Sequence, residues 1–158
     1  MTPRPAVEED YRPASELWAE GWAEAHLAHT PEALTRLRTR EDFERRLRGF
    51  GHGLRVIGPV GAPLGLCVVR GHLLDQIFVS PKARGRGVAA RLLADGEERI
   101  HAAGFSEAEL DCIPENTRAR AFYVRQGWID CGIEDATLET SEGAFILPCV
   151  IFRKNLGK

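Results

Sequence analysis

The stretch DQIFVSPKARGRGVAARLL, residues Asp75–Leu93, predicts a strand that ends in a turn and leads through a glycine-rich loop into a helix. Pro81 ends the strand, because proline lacks the amide hydrogen that a β-ladder needs. After Gly85 and Gly87, apolar residues recur with helical spacing. A glycine-rich loop that enters a helix exposes unpaired N–H groups at the positive end of the helix dipole. The stretch therefore predicts an anion site of the kind that binds phosphate.

The same loop fits a second pattern that would imply a different ligand. Gly85, Gly87 and Ala90 match the dinucleotide fingerprint G-x-G-x-x-G/A, and Asp111 lies about 20 residues further on. In dinucleotide folds, however, the first glycine follows the strand at once and opens a repeated βαβ unit. Here residues 80–84 intervene and half of the chain lies upstream. A nucleotide-binding oxidoreductase fragment is therefore the less favoured alternative.

A family resemblance accounts for more residues. The run VSPKARGRGVAARLL resembles the acetyl-CoA signature of the GNAT superfamily of N-acetyltransferases, whose core R/Q-x-x-G-x-G/A falls on Arg84, Gly87 and Ala89. Downstream, NTRARAFYVRQGW resembles the family segment N-x-x-A-x-x-F-Y-x-x-x-G-F/W. The matching positions are Asn116, Ala119, Phe122, Tyr123, Gly127 and Trp128. Both motifs stand in the family's order and spacing, and the resemblance covers roughly residues 64–133.

The element order agrees with the fold that this resemblance implies. At 158 residues the chain predicts a single domain, residues 1–158. A strand at 4–7 and amphipathic helices precede a meander of three strands, at 54–57, 64–69 and 72–79. The chain then continues with a parallel strand at 107–113, a helix at 116–126 and two strands at 128–133 and 144–153. We expect Asp10 to cap the first helix, and Thr39 with Asp42 to form a capping box. The resemblance implies an α+β fold: a mixed, mostly antiparallel sheet of about six to seven strands, splayed between the fourth and fifth, with helices on both faces.

Composition narrows the classes of partner. The formal net charge is −2, with 44% hydrophobic and 28% charged residues, which predicts a globular domain without a general attraction to nucleic acid or anionic membranes. No stretch resembles a signal peptide or a membrane span, so we expect a cytoplasmic protein, monomeric or homodimeric. The four cysteines are scattered, which predicts free thiols and no metal site.

By resemblance, acetyl-CoA is the co-substrate, and two segments should hold it. Backbone N–H groups of Arg84, Gly85, Arg86, Gly87, Val88 and Ala89 should bind the pyrophosphate, with glycine permitting close approach or an unusual dihedral. The strand end Ile77, Phe78 and Val79 should bind the pantetheine arm edge-on and direct an N–H at the thioester carbonyl. Asn116 and Phe122 should contact the cofactor. The alternatives are solvated side chains for Arg84 and Arg86, and a simple helix N-cap for Asn116.

Tyr123 is the predicted general acid to the CoA thiolate, because a phenol can donate a proton as the C–S bond breaks. A core aromatic beside Phe122 is the alternative. The general base is open: Asp75 is the tentative choice, and His72, His26 or a water chain are the others.

The acceptor pocket should form where the family motifs are absent. We expect Trp22 and His26 in the first helical segment to line it, together with a loop at 134–143. The acidic side chains of that loop, Glu134, Asp135, Glu139 and Glu142, either attract a cationic amine or are merely solvated. The sequence thus predicts an N-acetyltransferase that acts by direct attack in a ternary complex on a primary amine of unidentified kind, in a small molecule, peptide or protein. A non-catalytic acyl-CoA-binding or sensor module is the alternative.

Overall fold

A central sheet of seven strands organises the computed structural model, which describes residues 1–157. Its strand order is β1-β2-β3-β4-β5-β7-β6. The strands are β1 Arg4–Pro5, β2 Leu54–Ile57, β3 Gly65–Arg70, β4 Leu73–Val79, β5 Glu107–Cys112, β6 Ile129–Thr140 and β7 Gly143–Asn155. The α-helices are α1 Glu8–His26, α2 Glu32–Thr35, α3 Arg40–Gly49, α4 Val88–Ala102 and α5 Thr117–Arg125.

The predicted fold class is confirmed. Strands β2, β3 and β4 form an antiparallel meander, and β4 meets β5 in parallel. The helices α1 and α3 cover one face of the meander around Trp18, Phe43 and Leu47, while α4 covers the other face around Leu92 and Ile100. Among the described residues, no helix is long and apolar enough to cross a membrane.

The sheet splays between β4 and β5, as expected. The strands are joined only near their beginnings, where Leu73 faces Glu109 and the Glu109 N–H donates to the His72 carbonyl at 3.0 Å. Beyond this point β4 remains paired with β3, and β5 remains paired with β7, but β4 and β5 no longer pair with each other. The later part of β4 therefore has an open backbone edge.

The predicted cap of the first helix is wrong. Helix α1 begins after Val7, and Asp10 lies in its first turn, fully buried. The Asp10 carboxylate accepts hydrogen bonds from Arg4 at 2.7 and 3.1 Å, from Val7 N–H at 2.9 Å and from Gly61 N–H at 3.0 Å. It thus joins β1, α1 and the turn between β2 and β3. Of the predicted capping box, the Thr39 half is present: Thr39 caps α3 and accepts from the Asp42 N–H at 3.1 Å, whereas the Asp42 carboxylate pairs with Arg38 and Arg45.

The predicted loop at 134–143 is also wrong. Strand β6 continues to Thr140, and Ala136 pairs with Leu147 while Leu138 pairs with Phe145 on β7. Ala136, Leu138 and Thr140 are more buried than the polar residues between them. Because an edge strand can expose one face and one edge to water, its acidic residues remain solvated without forming a loop.

Candidate active site

One groove of about 1070 Å³ runs through the splay of the sheet. Its walls come from the end of α1, the later part of β4, the loop before α4, the start of α5 and the tip of β6. The two segments with family motifs lie at one end, and the helices α2 and α3 lie at the other. We call these the motif end and the helical end.

The motif end carries an uncapped helix start. Gly87 is the N-cap residue of α4 with a φ of 75°, no side chain caps the helix, and Arg91 is the first residue to donate back, to the Gly87 carbonyl at 3.1 Å. The N–H groups of Val88, Ala89 and Ala90 thus lack intrahelical acceptors, and no acidic residue stands in the first turn. This geometry fits a phosphate group.

The two loop glycines are required by their backbone angles. Gly85 and Gly87 have φ of 76° and 75°, in the region that side chains with a Cβ rarely adopt. A Cβ at either position would meet no protein atom within 4 Å. Arg84 lines the groove, whereas the exposed Arg86 is not part of its wall. The expected contribution of Arg86 to binding stays a prediction.

A β-bulge shapes β4 where it borders the groove. Val68 on β3 pairs with Gln76, whereas the next residue, Val69, pairs with Leu74, so Asp75 is an extra residue without a partner on β3. Bulges re-aim side chains and are frequent beside active sites. Both Asp75 and Gln76 line the groove.

The edge of β4 beyond the bulge offers free hydrogen-bonding groups. Ser80 N–H donates to Leu64 on the β3 side at 2.8 Å. Because pairing alternates along an antiparallel strand, the N–H groups of Ile77 and Val79 point the other way, into the splay. Ile77, Phe78 and Val79 all line the groove. This edge can hold an extended ligand by main-chain hydrogen bonds.

Tyr123 lies in the wall opposite the open edge. Its ring packs against Phe152 and Phe122, with centroids 5.5 and 5.6 Å away. Its hydroxyl has no hydrogen-bond partner among residues 1–157. It is nevertheless not fully enclosed, because the side-chain polar atom of these residues that is both enclosed and unpartnered is Trp18 Nε1. The Tyr123 hydroxyl therefore opens onto the groove. Burial and the neighbouring Cys112 raise the pKa of this phenol far above its usual value, so it keeps its proton at neutral pH.

Asn116 and Phe122 stand beside Tyr123 on the same wall. The Asn116 side-chain oxygen accepts from the Ala119 N–H at 3.2 Å, so this residue caps α5. The alternative of an N-cap is thus present in the structure, while the Asn116 amide nitrogen keeps its donors for a ligand.

Of the three side chains considered for the general base, two line the groove. Asp75 forms an ion pair with Arg70, with Nε and Oδ2 3.1 Å apart. His26 also lines the groove, whereas His72 lies outside it and packs against Phe105 at 5.8 Å. The sequence did not suggest Asp111 as a proton acceptor, although it lies across the splay from Asp75. The Asp111 side chain is exposed in the groove, and partial desolvation by the surrounding protein, together with the charges of Asp75 and Glu109, raises the pKa of its carboxyl.

The predicted pocket residues Trp22 and His26 both lie toward the helical end. Their rings stack with centroids 5.7 Å apart and an interplanar angle of 17°. Burial, then the charges of Arg38 and His29, lower the pKa of His26 to about 4, so this imidazole is neutral at physiological pH. Among the four acidic residues expected at the pocket, Glu139 lines the groove, whereas the other three do not.

Arginines line the helical end, which the sequence did not predict. Arg38, Arg45, Arg46 and Arg70 all reach the groove wall. On an amphipathic helix such as α3, arginines between apolar residues suggest a solvated face. The ring of Trp18, contributed by a different helix, draws Arg46 inward at 4.5 Å, and local sequence carries no signal of that contact.

The two cysteines that line the groove are poor nucleophiles at neutral pH. Cys112 and Cys149 line the groove, but burial raises the pKa of each thiol to about 12. Only a fraction on the order of 10⁻⁵ of such a thiol is ionised at pH 7, and the thiolate is the nucleophilic form. Within residues 1–157, no group of three or more His, Cys, Asp or Glu side chains is arranged to hold a metal ion.

Comparison with known proteins agrees with this architecture. The sequence model of the acetyltransferase (GNAT) family matches residues 6–128. Among solved structures, a GCN5-related N-acetyltransferase from Rhodopseudomonas palustris superposes with a TM-score of 0.73 at 20% identity, covering 98% of this chain and 96% of its own.

Two similar structures were solved with a coenzyme. A phosphinothricin acetyltransferase from Sinorhizobium meliloti, in complex with acetyl-CoA, has a TM-score of 0.66 at 25% identity and covers 99% of this chain and 90% of its own. The PaiA N-acetyltransferase from Thermoplasma acidophilum, in complex with coenzyme A, has a TM-score of 0.64 at 15% identity, with 97% of both chains covered.

Proposed function

Because this chain belongs to the acetyltransferase (GNAT) family and is an acyltransferase, we propose that it transfers the acetyl group of acetyl-CoA to a primary amine by direct attack. One observation carries the proposal: the uncapped start of α4, the open edge of β4 and the free hydroxyl of Tyr123 all face one groove. A similar phosphinothricin acetyltransferase was solved with acetyl-CoA. The acceptor could be a small molecule or the amine of a peptide or protein.

The residues of the groove fit the parts of this co-substrate. The N–H groups at the start of α4 suit the pyrophosphate, and the N–H and C=O groups of Ile77 and Val79 suit the amides of the pantetheine arm. Asn116 supplies a further amide donor beside them. When bound, acetyl-CoA provides an acetyl thioester, whose carbonyl carbon an amine can attack.

The chain's own groups would stabilise the transfer in two places. An N–H on the open edge of β4 donates to the carbonyl oxygen as it gains negative charge, an effect worth about 2.7–4 kcal/mol in comparable sites. Tyr123 gives its proton to the sulfur as the C–S bond breaks and the C–N bond forms. Its raised pKa keeps that proton in place until negative charge develops on the sulfur.

The ammonium of the acceptor must lose a proton before the amine can attack, and a carboxylate in the splay can accept that proton. Asp75 is the candidate from the sequence, and it forms an ion pair with Arg70. Asp111, whose carboxyl pKa is raised, lies across the splay and is a second proton acceptor. The two carboxylates, with or without an intervening water, are the proposed exit for this proton.

The test is the Tyr123→Phe variant with Tyr11→Phe as its control, since Tyr11 lies on α1 outside the groove. We expect Tyr123→Phe to lower kcat about 10²- to 10⁴-fold, with little change in the dissociation constant for acetyl-CoA, and Tyr11→Phe to retain kcat. Release of CoA from acetyl-CoA with a panel of amines measures turnover, and calorimetry measures binding.

Three outcomes would contradict the proposal at different levels. Unchanged kcat in Tyr123→Phe would remove the role of this residue and leave acetyl transfer intact. Thermal stabilisation by NAD and not by acetyl-CoA would mean that the glycine-rich loop binds a different coenzyme. Binding of acetyl-CoA without turnover of any amine would favour the non-catalytic acyl-CoA-binding module.

A further inference from the structure

The helical end of the groove contains four guanidinium groups, and three of them already have a carboxylate. Arg38 and Arg45 both pair with Asp42, and Arg70 pairs with Asp75. Arg46 differs, because no carboxylate within the described part of the chain lies within 4.0 Å of it. Two guanidinium groups thus share one carboxylate, and a further one has none.

Arg46 is held by aromatic rings. Its Cζ lies 4.5 Å from the centroid of Trp18 and 5.9 Å from that of Phe43. A ring beneath the planar guanidinium contacts its face and leaves the N–H groups at its edge free. These nitrogen atoms make no hydrogen bond in the described structure, and they are not enclosed, so their donors open onto the groove.

The charge of Arg46 persists in this position. Burial, then the nearby charge of Arg38, lower its pKa to about 10, so the side chain is still almost fully protonated at pH 7. The carboxylates of Asp42 and Asp75 are near enough to favour the charged form of Arg46, but both already pair directly with other arginines. A half-buried cation with no carboxylate in direct contact has lost part of its hydration without gaining an ion-pair partner. A bound anion would restore that interaction. The neighbouring His26, which is neutral, does not compete for it.

Arg46 also lies close to β4, the strand with the open edge. Trp18 contacts both Arg46 and Phe78 of β4, and the ring centroids of Trp18 and Phe78 are 6.2 Å apart. Together, these distances put Cζ of Arg46 no more than about 11 Å from the Phe78 ring. A small molecule of amino-acid size can span that separation, with an amine at β4 and an anionic group at Arg46.

We propose that the acceptor is a small primary amine that also bears an anionic group, a carboxylate or a phosphonate, and that Arg46 binds this group. This inference rests on the proposed acetyl transfer and names the class of its acceptor. It differs from the alternative in which acidic side chains attract a purely cationic amine. A guanidinium recognises both kinds of anion through paired N–H donors, so the shared chemistry is a planar or tetrahedral oxyanion.

The experiment compares matched amines with and without the anion. We would measure kcat/KM with acetyl-CoA for L-phenylalanine against L-phenylalaninamide, and for 2-aminoethylphosphonate against propylamine. The pairs separate a carboxylate from a phosphonate as the preferred anion. We expect the anionic member of at least one pair to be favoured about 10- to 150-fold, as a charge-assisted hydrogen bond provides.

Three variants assign the preference to a residue. Arg46→Gln should lower kcat/KM for the anionic amine about 10- to 150-fold, mainly through KM, with little effect on its neutral partner. Arg46→Lys should recover part of the loss, because it restores the charge. Arg12→Gln is the control, since Arg12 lies exposed on α1 and pairs with Glu16 away from the groove.

Several results would overturn the inference while leaving acetyl transfer standing. Equal kcat/KM values for the neutral and the anionic amines would overturn it. A preference for anionic amines that persists in Arg46→Gln would also overturn it. Stabilisation by acetyl-CoA, combined with no binding or acetylation of any anionic amine in the panel, would also overturn it. If the wild-type protein does not bind acetyl-CoA at all, the proposed function itself is rejected.

Discussion

Replacing Asp10 with asparagine should destabilise the protein, and the loss should depend on pH. The carboxylate accepts four hydrogen bonds, two from Arg4 and one each from the N–H groups of Val7 and Gly61. Asparagine has one oxygen in place of two and no charge, so it leaves some of these donors without an acceptor. The beginning of α1, whose other end forms part of the groove, would lose its connection to β1 and to the turn after β2.

The magnitude follows from the carboxyl pKa. Burial alone would raise the pKa of Asp10, but hydrogen bonds from Arg4, Val7 and Gly61 outweigh it and lower the pKa from 3.8 to about 2. Since the folded-state pKa is depressed, the stabilisation is complete above pH 3.8 and is lost as the pH falls toward 2. It amounts to about 2 kcal/mol at pH 6 and to roughly 1 kcal/mol at pH 3.

Urea unfolding of the wild type and Asp10→Asn at pH 6 and pH 3, followed by tryptophan fluorescence, measures this effect. We expect the difference in free energy of unfolding between the two proteins to shrink by about 1 kcal/mol on acidification. Glu9→Gln, which changes an exposed carboxylate of the same helical turn, should stay within about 0.5 kcal/mol of the wild type. A difference for Asp10→Asn that is equal at both pH values would refute the role assigned to the charge.

Three further predictions concern glycines and thiols. Gly65→Ala should lower the free energy of unfolding by about 1–3 kcal/mol, because its Cβ would lie 2.8 Å from Leu92 Cδ1 and 3.0 Å from the Phe78 carbonyl oxygen. Gly49→Ala is the control and should not lower the free energy of unfolding, because there is open space around Gly49. Chemical denaturation measures both. Gly87→Ala and Gly104→Ala should each lower the free energy of unfolding by about 1–2 kcal/mol through backbone strain. Calorimetry should nevertheless detect weaker acetyl-CoA binding only in Gly87→Ala. Equal affinities in the two variants would show that the N-terminus of α4 is not part of the binding site. An alkylating reagent at pH 8 should modify Cys131, the exposed thiol, and mass spectrometry should find the other cysteines unmodified in the folded protein. Those buried thiols are Cys67, Cys112 and Cys149.

Local patterns predicted the framework of this fold well. The apolar runs of β2 to β4, the proline after β4 and the glycine-rich loop before α4 all act over a few residues, and the structure contains each element. The capping of α3 by Thr39 is equally local, because its acceptor and donor are three residues apart. The residues lining the motif end could be named because they lie within these contiguous motifs.

Long-range contacts explain what the sequence could not predict. Asp10 resembled a helix cap, but Gly61, 51 residues away, completes its hydrogen bonding. The acidic stretch of β6 resembled a loop until β7 paired with it. Nothing in the sequence indicated that Arg46 lines the groove, because the Trp18 ring that it contacts comes from α1. In each case the partner is distant in sequence, and its position depends on the completed fold.

The extra residue in β4 constrains how this gene can change in length. Leu74 packs in the core beneath α4, whereas Phe78 packs in the core beneath α1, although in a regular strand residues four apart would share a face. The insertion of Asp75 shifts the alternation once, so that one strand supplies both cores. Loss of the Asp75 codon alone would remove the bulge and leave Leu74 and Phe78 three residues apart, on the opposite faces that they now occupy. Loss of two codons between them would instead place both on one face and direct the apolar side chains of half of β4 into the wrong layer. The hairpin tip between Thr140 and Gly143 is exposed and carries no such parity, so additions or losses of codons there should be tolerated.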